Sequence, residues 1–210
     1  MLSLTLALLF LGVIGTAFKK LGLGTLGTLI LLSSSLIGSY INIPITSVSA
    51  NYPIIRLKYV KVFGKSYHIP TIAVGIDKVL IAINIGGAIV PLIASIFLIS
   101  RKPQSLIYAL PATLLVAIVL KRVSRPVKGV GIVTPSLVPP LLAAFSAIAL
   151  SGEFRHIIAY VSGTLGTLIG ADLLNFKKFP QLGSSIISIG GAGTFDGIFL
   201  SGIIAVLIAF

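Results

Sequence analysis

The few charged residues of this chain cut it into long apolar runs, and a polypeptide so divided has few ways to fold. A helix that crosses a bilayer needs about 20 mostly apolar residues, within a range of roughly 17–25. Seven runs meet or approach that length: about Leu2–Phe18, Leu21–Ile43, Val79–Ser100, Ser105–Leu120, Ser136–Leu150, Ile157–Asn175 and Leu182–Phe210. They predict an all-α fold, a polytopic transmembrane helix bundle of about seven spans with discontinuous helices, forming one integral membrane domain over residues 1–210. Composition agrees. Of the 210 residues 56% are hydrophobic and 10% charged, with a mean hydropathy of +1.14, whereas soluble domains run near half apolar and about a quarter charged. A cytosolic globular enzyme and a disordered tail are both excluded.

The charge balance, 16 Lys and Arg against 4 Asp and Glu, reads as span-flanking residues rather than a nucleic-acid surface. Between alternate runs the bases fall unevenly. Lys19, Lys20, Arg101, Lys102 and Arg155 lie on one side, and the other eleven, from Arg56 to Lys178, on the other. The positive-inside rule then expects a cell-membrane protein with its N-terminus inside and its C-terminus outside. The first run has no basic residue before it and Lys19-Lys20 after it, which reads as a retained span rather than a signal peptide. With no cysteine in the chain, disulfides, zinc–thiolate sites and thiol catalysis are excluded. The two histidines, His68 and His156, lie in distant loops and form no metal site, and no cofactor is expected.

Between the second and third runs, apolar residues (Ile55, Leu57, Tyr59) alternate with basic ones (Arg56, Lys58, Lys61), and Phe63-Gly64-Lys65 offers a turn. A surface β-hairpin over 54–74 is expected. Gly22-Leu23-Gly24-Thr25-Leu26-Gly27 matches G-x-G-x-x-G, but no strand precedes it and no acidic residue follows at the ribose-binding distance, so a packing role is expected instead. The heptapeptide Gly-Thr-Leu-Gly-Thr-Leu-Ile occurs twice, at Gly24–Ile30 and Gly163–Ile169. Either the two halves are duplicated, as in many transporters, or two helices converged on one small-residue packing face. Three places look like broken helix: Asn42-Ile43-Pro44, Pro135 with Pro139-Pro140, and Ser188–Thr194. Non-helical backbone at membrane depth survives only inside protein or along a wet cavity, so an interior polar site is expected.

The acidic residues point to that site. Glu153 and Asp77 sit at run edges beside Arg155 and Lys78, whereas Asp172 and Asp196 are embedded in apolar sequence. A carboxylate in the bilayer centre costs at least about 2.5–3.5 kcal/mol on insertion scales, which makes both functional candidates. A helix restarting at Thr194, after Gly190, Gly191 and Gly193, would bring Asp196 to the depth of Asp172. Paired carboxylates share a proton, the chemistry of an aspartyl protease acting on a transmembrane peptide. The same pair suits a proton- or cation-coupled transporter or channel for a small solute, with Asn84 and Asn175 as polar support. A non-catalytic membrane scaffold, with each aspartate tied to a neighbouring helix, is the third reading. Serine and zinc intramembrane protease signatures are missing.

The runs Asn42-Ile43-Pro44, Ile83–Pro91, Gly170-Ala171-Asp172-Leu173-Leu174 and Gly190–Phe199 resemble a prokaryotic membrane family catalogued as domain of unknown function 1614, from about Gly38 onwards. That resemblance implies a membrane location and no activity. A fainter similarity runs to presenilin-like and prepilin-peptidase-like intramembrane aspartyl proteases, whose second aspartate opens a helix in Gly-x-Gly-Asp. Here Thr194 and Phe195 intervene between Gly193 and Asp196, Ala171 stands where a Tyr often precedes the first aspartate, and a Pro-Ala-Leu motif is missing. The similarity implies Asp172 and Asp196 as an acid–base pair.

Overall fold

The fold is that of a computed structural model, which describes residues 2–62, 65–191 and 197–209; of these, 2–10, 50–62 and 65–77 are described by backbone alone. The seven α-helices among the described residues fall one to each predicted run: α1 (Leu2–Lys20), α2 (Thr25–Gly38), α3 (Val90–Arg101), α4 (Leu106–Val123), α5 (Val138–Leu150), α6 (Arg155–Thr167) and α7 (Gly197–Ile208). Among the described residues two helical stretches, Pro103–Val123 and Arg155–Gln181, are long and apolar enough to cross a membrane, and the apolar helices Thr25–Gly38, Ile85–Arg101, Val138–Leu150 and Gly197–Ile208 are shorter.

The helix ends have local causes. α1 ends in a Schellman turn: Leu23 N–H donates to the Phe18 carbonyl and Gly22 N–H to that of Lys19, with Gly22 at φ +74°. α2 stops at Gly38, and Asn42 already opens a strand. The predicted third run begins as strand, because β1 (Asn42–Val62) and β2 (Lys65–Asn84) form one antiparallel hairpin whose base reaches Asn42 opposite Asn84. The hairpin therefore extends well beyond the expected 54–74, and its expected turn at Phe63-Gly64 lies outside the described residues. Alternating Val79, Ile81 and Ile83 suit a pleated surface, and an apolar run of that length does not distinguish strand from helix. Pro44 is accommodated at a register shift between Pro44 and Thr46.

The predicted seventh run is corrected in the same way. Ile186–Ile189 is a strand, β5, pairing parallel with Leu80–Ile83 of β2 to give the sheet order β1-β2-β5. A second, two-stranded sheet joins β3 (Arg125–Val127) to β4 (Gly131–Val133). The expected breaks at Pro139 and Pro140 fall instead in the first turn of α5, where proline is tolerated.

α6 is the central helix, packed by α3, α4, α5 and α7. Its approach to α4 depends on small residues, since a Cβ at Gly166 would lie 2.7 Å from the Val116 Cβ. Ile14, Phe18, Leu98, Leu120, Tyr160, Phe199 and Ile203 fill the bundle core. A second cluster (Val79, Ile81, Leu168, Phe179, Leu182, Ile187, Ile198) joins the hairpin base to the end of the α6 stretch. The outer surface is apolar: Ile107 is 71% exposed, Leu114 61% and Phe145 62%. Asn84, Ser95, Ser162, Thr164, Asn175 and Ser201 are buried.

Candidate functional site

The site forms where α6 changes its winding. Beyond Thr167 the helix runs as a π-turn over Leu168–Asp172 and then as a 3-10 helix over Leu173–Gln181. Such changes displace carbonyls from their usual partners, and π-turns recur at functional sites. Asn175, 1% exposed, supplies the substitute: its Nδ2 donates to the carbonyls of Gly170 and Ala171, both at 3.0 Å. Asn175 thus braces the backbone that carries Asp172.

Asp172 is half-buried, and its Oδ2 accepts the Gly190 N–H at 2.8 Å. Gly190 and Gly191 turn with φ of +88° and +79°, and the Gly190 backbone passes so close to Ala88 that a Cβ there would lie 2.6 Å from the Ala88 Cβ. Only glycine satisfies both demands at 190. The turn is held from its other side as well. Ser188 Oγ donates to Asn42 Oδ1 (2.6 Å), which also accepts from Asn84 Nδ2 (3.1 Å). Asn84 further donates to the Ser39 carbonyl (2.8 Å) and accepts the Gly87 N–H (2.7 Å), so this candidate residue joins the hairpin base to the helix start.

Between these elements lies a cavity of about 480 Å3, with Asp172 and Gly191 in its wall. Thr134, Ser136, Thr167, Ser184, Ser188 and Ser201 contribute hydroxyls, and Phe179, Ile187, Ile198 and Ile204 apolar surface. Thr167 and Ser201 share a hydrogen bond at 3.1 Å across the α6–α7 contact. Among the described lining residues there is one carboxylate and no Lys or Arg. Gly193, Thr194 and Asp196 lie outside the described residues, but Gly191 and Gly197, which bracket that segment, both line the cavity. Among the described residues no group of His, Cys, Asp or Glu could hold a metal ion. Sequence reasoning missed the hydroxyl wall, although Gly166-Thr167 and Ser201-Gly202 carry its signal: a hydroxyl beside a glycine within an apolar helix.

Fold and site together define a mostly helical bundle with a carboxylate-bearing cavity where its central helix changes winding. The chain belongs to the family described as protein of unknown function (DUF1614), whose model matches residues 36–208. That is the family its sequence resembles. No curated protein and no solved structure matches the chain, and the fainter likeness to presenilin-like proteases has no support.

Proposed function

We propose that this chain is a multi-pass membrane protein, N-terminus inside, whose Asp172 cavity binds a small polar or cationic solute and couples it to protonation of the carboxylate. The observation that carries this reading is a cavity with one carboxylate, several hydroxyls and no base among its described lining residues, beside unwound helix. Irregular helix lining a polar cavity is how transporters expose backbone and ionisable groups to a solute. The apolar outer surface and buried polar interior support a lipid surrounding. Purified protein in liposomes, under an imposed sodium or potassium gradient, is expected to move protons measurably with an internal pH dye. Asp172→Asn is expected to reduce that flux at least about tenfold, the scale of one charge-assisted contact. Wild-type vesicles showing no cation-dependent proton movement would overturn the reading.

A second reading, a di-aspartyl hydrolase acting on a transmembrane peptide, is favoured by the placement of Gly191 and Gly197 on the cavity wall, either side of the segment containing Asp196. One carboxylate would activate water while the other protonates the carbonyl oxygen. The cysteine-free chain gives a clean test. Asp172→Cys with Asp196→Cys should cross-link under mild oxidation, since a disulfide needs Cα atoms within about 7 Å. A pair that never cross-links in folded protein would sink the hydrolase and leave the single-carboxylate solute site standing.

A further inference from the structure

A second pocket, of about 250 Å3, lies at the opposite end of the α6 stretch from Asp172. Three separate chain segments bring their charges to it. Lys20 comes from the end of α1, Arg101 and Lys102 from the end of α3, and Glu153 with His156 from the start of α6. Three full positive charges therefore face one carboxylate, the reverse of the Asp172 cavity. Leu21, Leu98 and Ile157 give the pocket an apolar floor.

The arrangement is held in place. Arg101 Nη1 donates to the Gly22 carbonyl at 3.0 Å, and its guanidinium carbon lies 5.9 Å from the Phe97 ring centroid. A guanidinium fixed through one nitrogen still presents a planar fork of further N–H donors. The Gly22 carbonyl that fixes it is offered by the Schellman turn ending α1, where φ is +74°. His156 closes one side of the pocket. Its imidazole lies against the Ala209 backbone, and its Nδ1 is buried with no hydrogen-bond partner among the described residues. That nitrogen is closed off from the pocket, so His156 contributes wall to it rather than a ligand contact.

The fixed guanidinium and the two lysines call for an anion. Like charges gathered around one small pocket repel one another unless an anion lies between them. A phosphate group meets these demands: it pairs with the guanidinium fork and takes ammonium donors from two sides. A single-atom anion would meet neither the fork nor the pocket volume. We propose that this pocket is a phosphate-binding site, formed by Lys20, Arg101 and Lys102. It stands independently of the Asp172 reading, since the two pockets share no residue.

The phosphate can belong to a phospholipid headgroup or be free in solution, and one experiment separates the two. Detergent-purified protein is titrated with inorganic phosphate by calorimetry. In parallel, protein released from nanodiscs of mixed phosphatidylglycerol and phosphatidylcholine is examined for retained lipid by native mass spectrometry. Because Arg101 also anchors Gly22, the decisive variants are Lys20→Gln and Lys102→Gln, with Lys128→Gln as a control away from the pocket. Phosphate affinity reduced about tenfold in both decisive variants, but not in the control, supports a site for a free anion. Retention of phosphatidylglycerol lost in the same two variants supports a headgroup site. Wild-type protein that holds neither ligand, or decisive variants that bind as the wild type does, would overturn the proposal.

Discussion

The same seven residues, Gly-Thr-Leu-Gly-Thr-Leu-Ile, occur in two helices and have different surroundings in each. At Gly24–Ile30 they open α2, where nothing lies within 4 Å of a Cβ built on Gly24 and only Leu23, one turn back, lies near one built on Gly27. At Gly163–Ile169 they form the middle of the bundle. Gly163 meets the α7 backbone at Gly202, and Gly166 meets Val116 of α4. Thr164 and Thr167 are buried and bonded to Ser95 and Ser201, while Thr25 is exposed. The expected shared packing role is therefore found in one copy only. Nor do the surroundings show the equivalence that a duplication would leave. A small-residue pattern permits close approach, and the neighbouring helices decide whether it occurs.

Substitution at equivalent positions puts that contrast to the test, and glycine should show it most strongly. A Cβ at Gly166 would lie 2.7 Å from both Cβ and Cγ1 of Val116. Gly166→Val should therefore destabilise the bundle by about 3 kcal/mol, the upper range for overpacking. Gly27→Val should stay within about 0.5 kcal/mol of the wild type, as expected of a surface change. Unfolding in mixed micelles, followed by circular dichroism, measures both, and equal effects would erase the distinction. Next comes the helix that follows each copy. α2 continues regularly to Gly38, whereas the other copy runs into the π-turn that Asn175 supports. Asn175→Ala should cost about 2 kcal/mol in the same assay by stripping two buried carbonyls of their donor. It should also lower Asp172-dependent proton flux, because the backbone beneath Asp172 loosens. Smallest is the hydroxyl pair. Thr164→Val loses its 3.1 Å bond to Ser95 and should cost about 1 kcal/mol, while Thr25→Val should be neutral.

Legibility in the sequence followed the charges. Lys19-Lys20, Arg101-Lys102 and Lys121-Arg122 mark the ends of α1, α3 and α4 closely, because a charged pair ends an apolar run whatever the neighbouring elements are. What stayed hidden was set by partners distant in sequence. Leu80–Ile83 and Ile186–Ile189 are apolar enough for a helix and are strands, the first paired with β1 and the second added to it across the fold. Asp172 could be singled out as an embedded acid, but its bond to Gly190 depends on where β5 ends. Thr167 and Ser201 looked like ordinary small residues until α6 and α7 brought them together at the cavity wall. The family was legible because its motifs are contiguous. The cation-lined pocket was not, since Lys20, Arg101 and His156 meet only in three dimensions.

The parallel pairing of β5 with β2 also dictates an order of events during synthesis. Leu80 meets Ile186, a residue made 106 positions later, after α3 to α6 have been translated. Until then the edge of β2 that receives β5 has no strand to cover it, and an uncovered edge invites pairing with another chain. The lysines and arginine of the nascent hairpin, by mutual repulsion between copies, suit it to that wait. The last strand therefore acts as a late clasp, and a ribosome stalled before Ile186 would leave the newborn chain at its most adhesive.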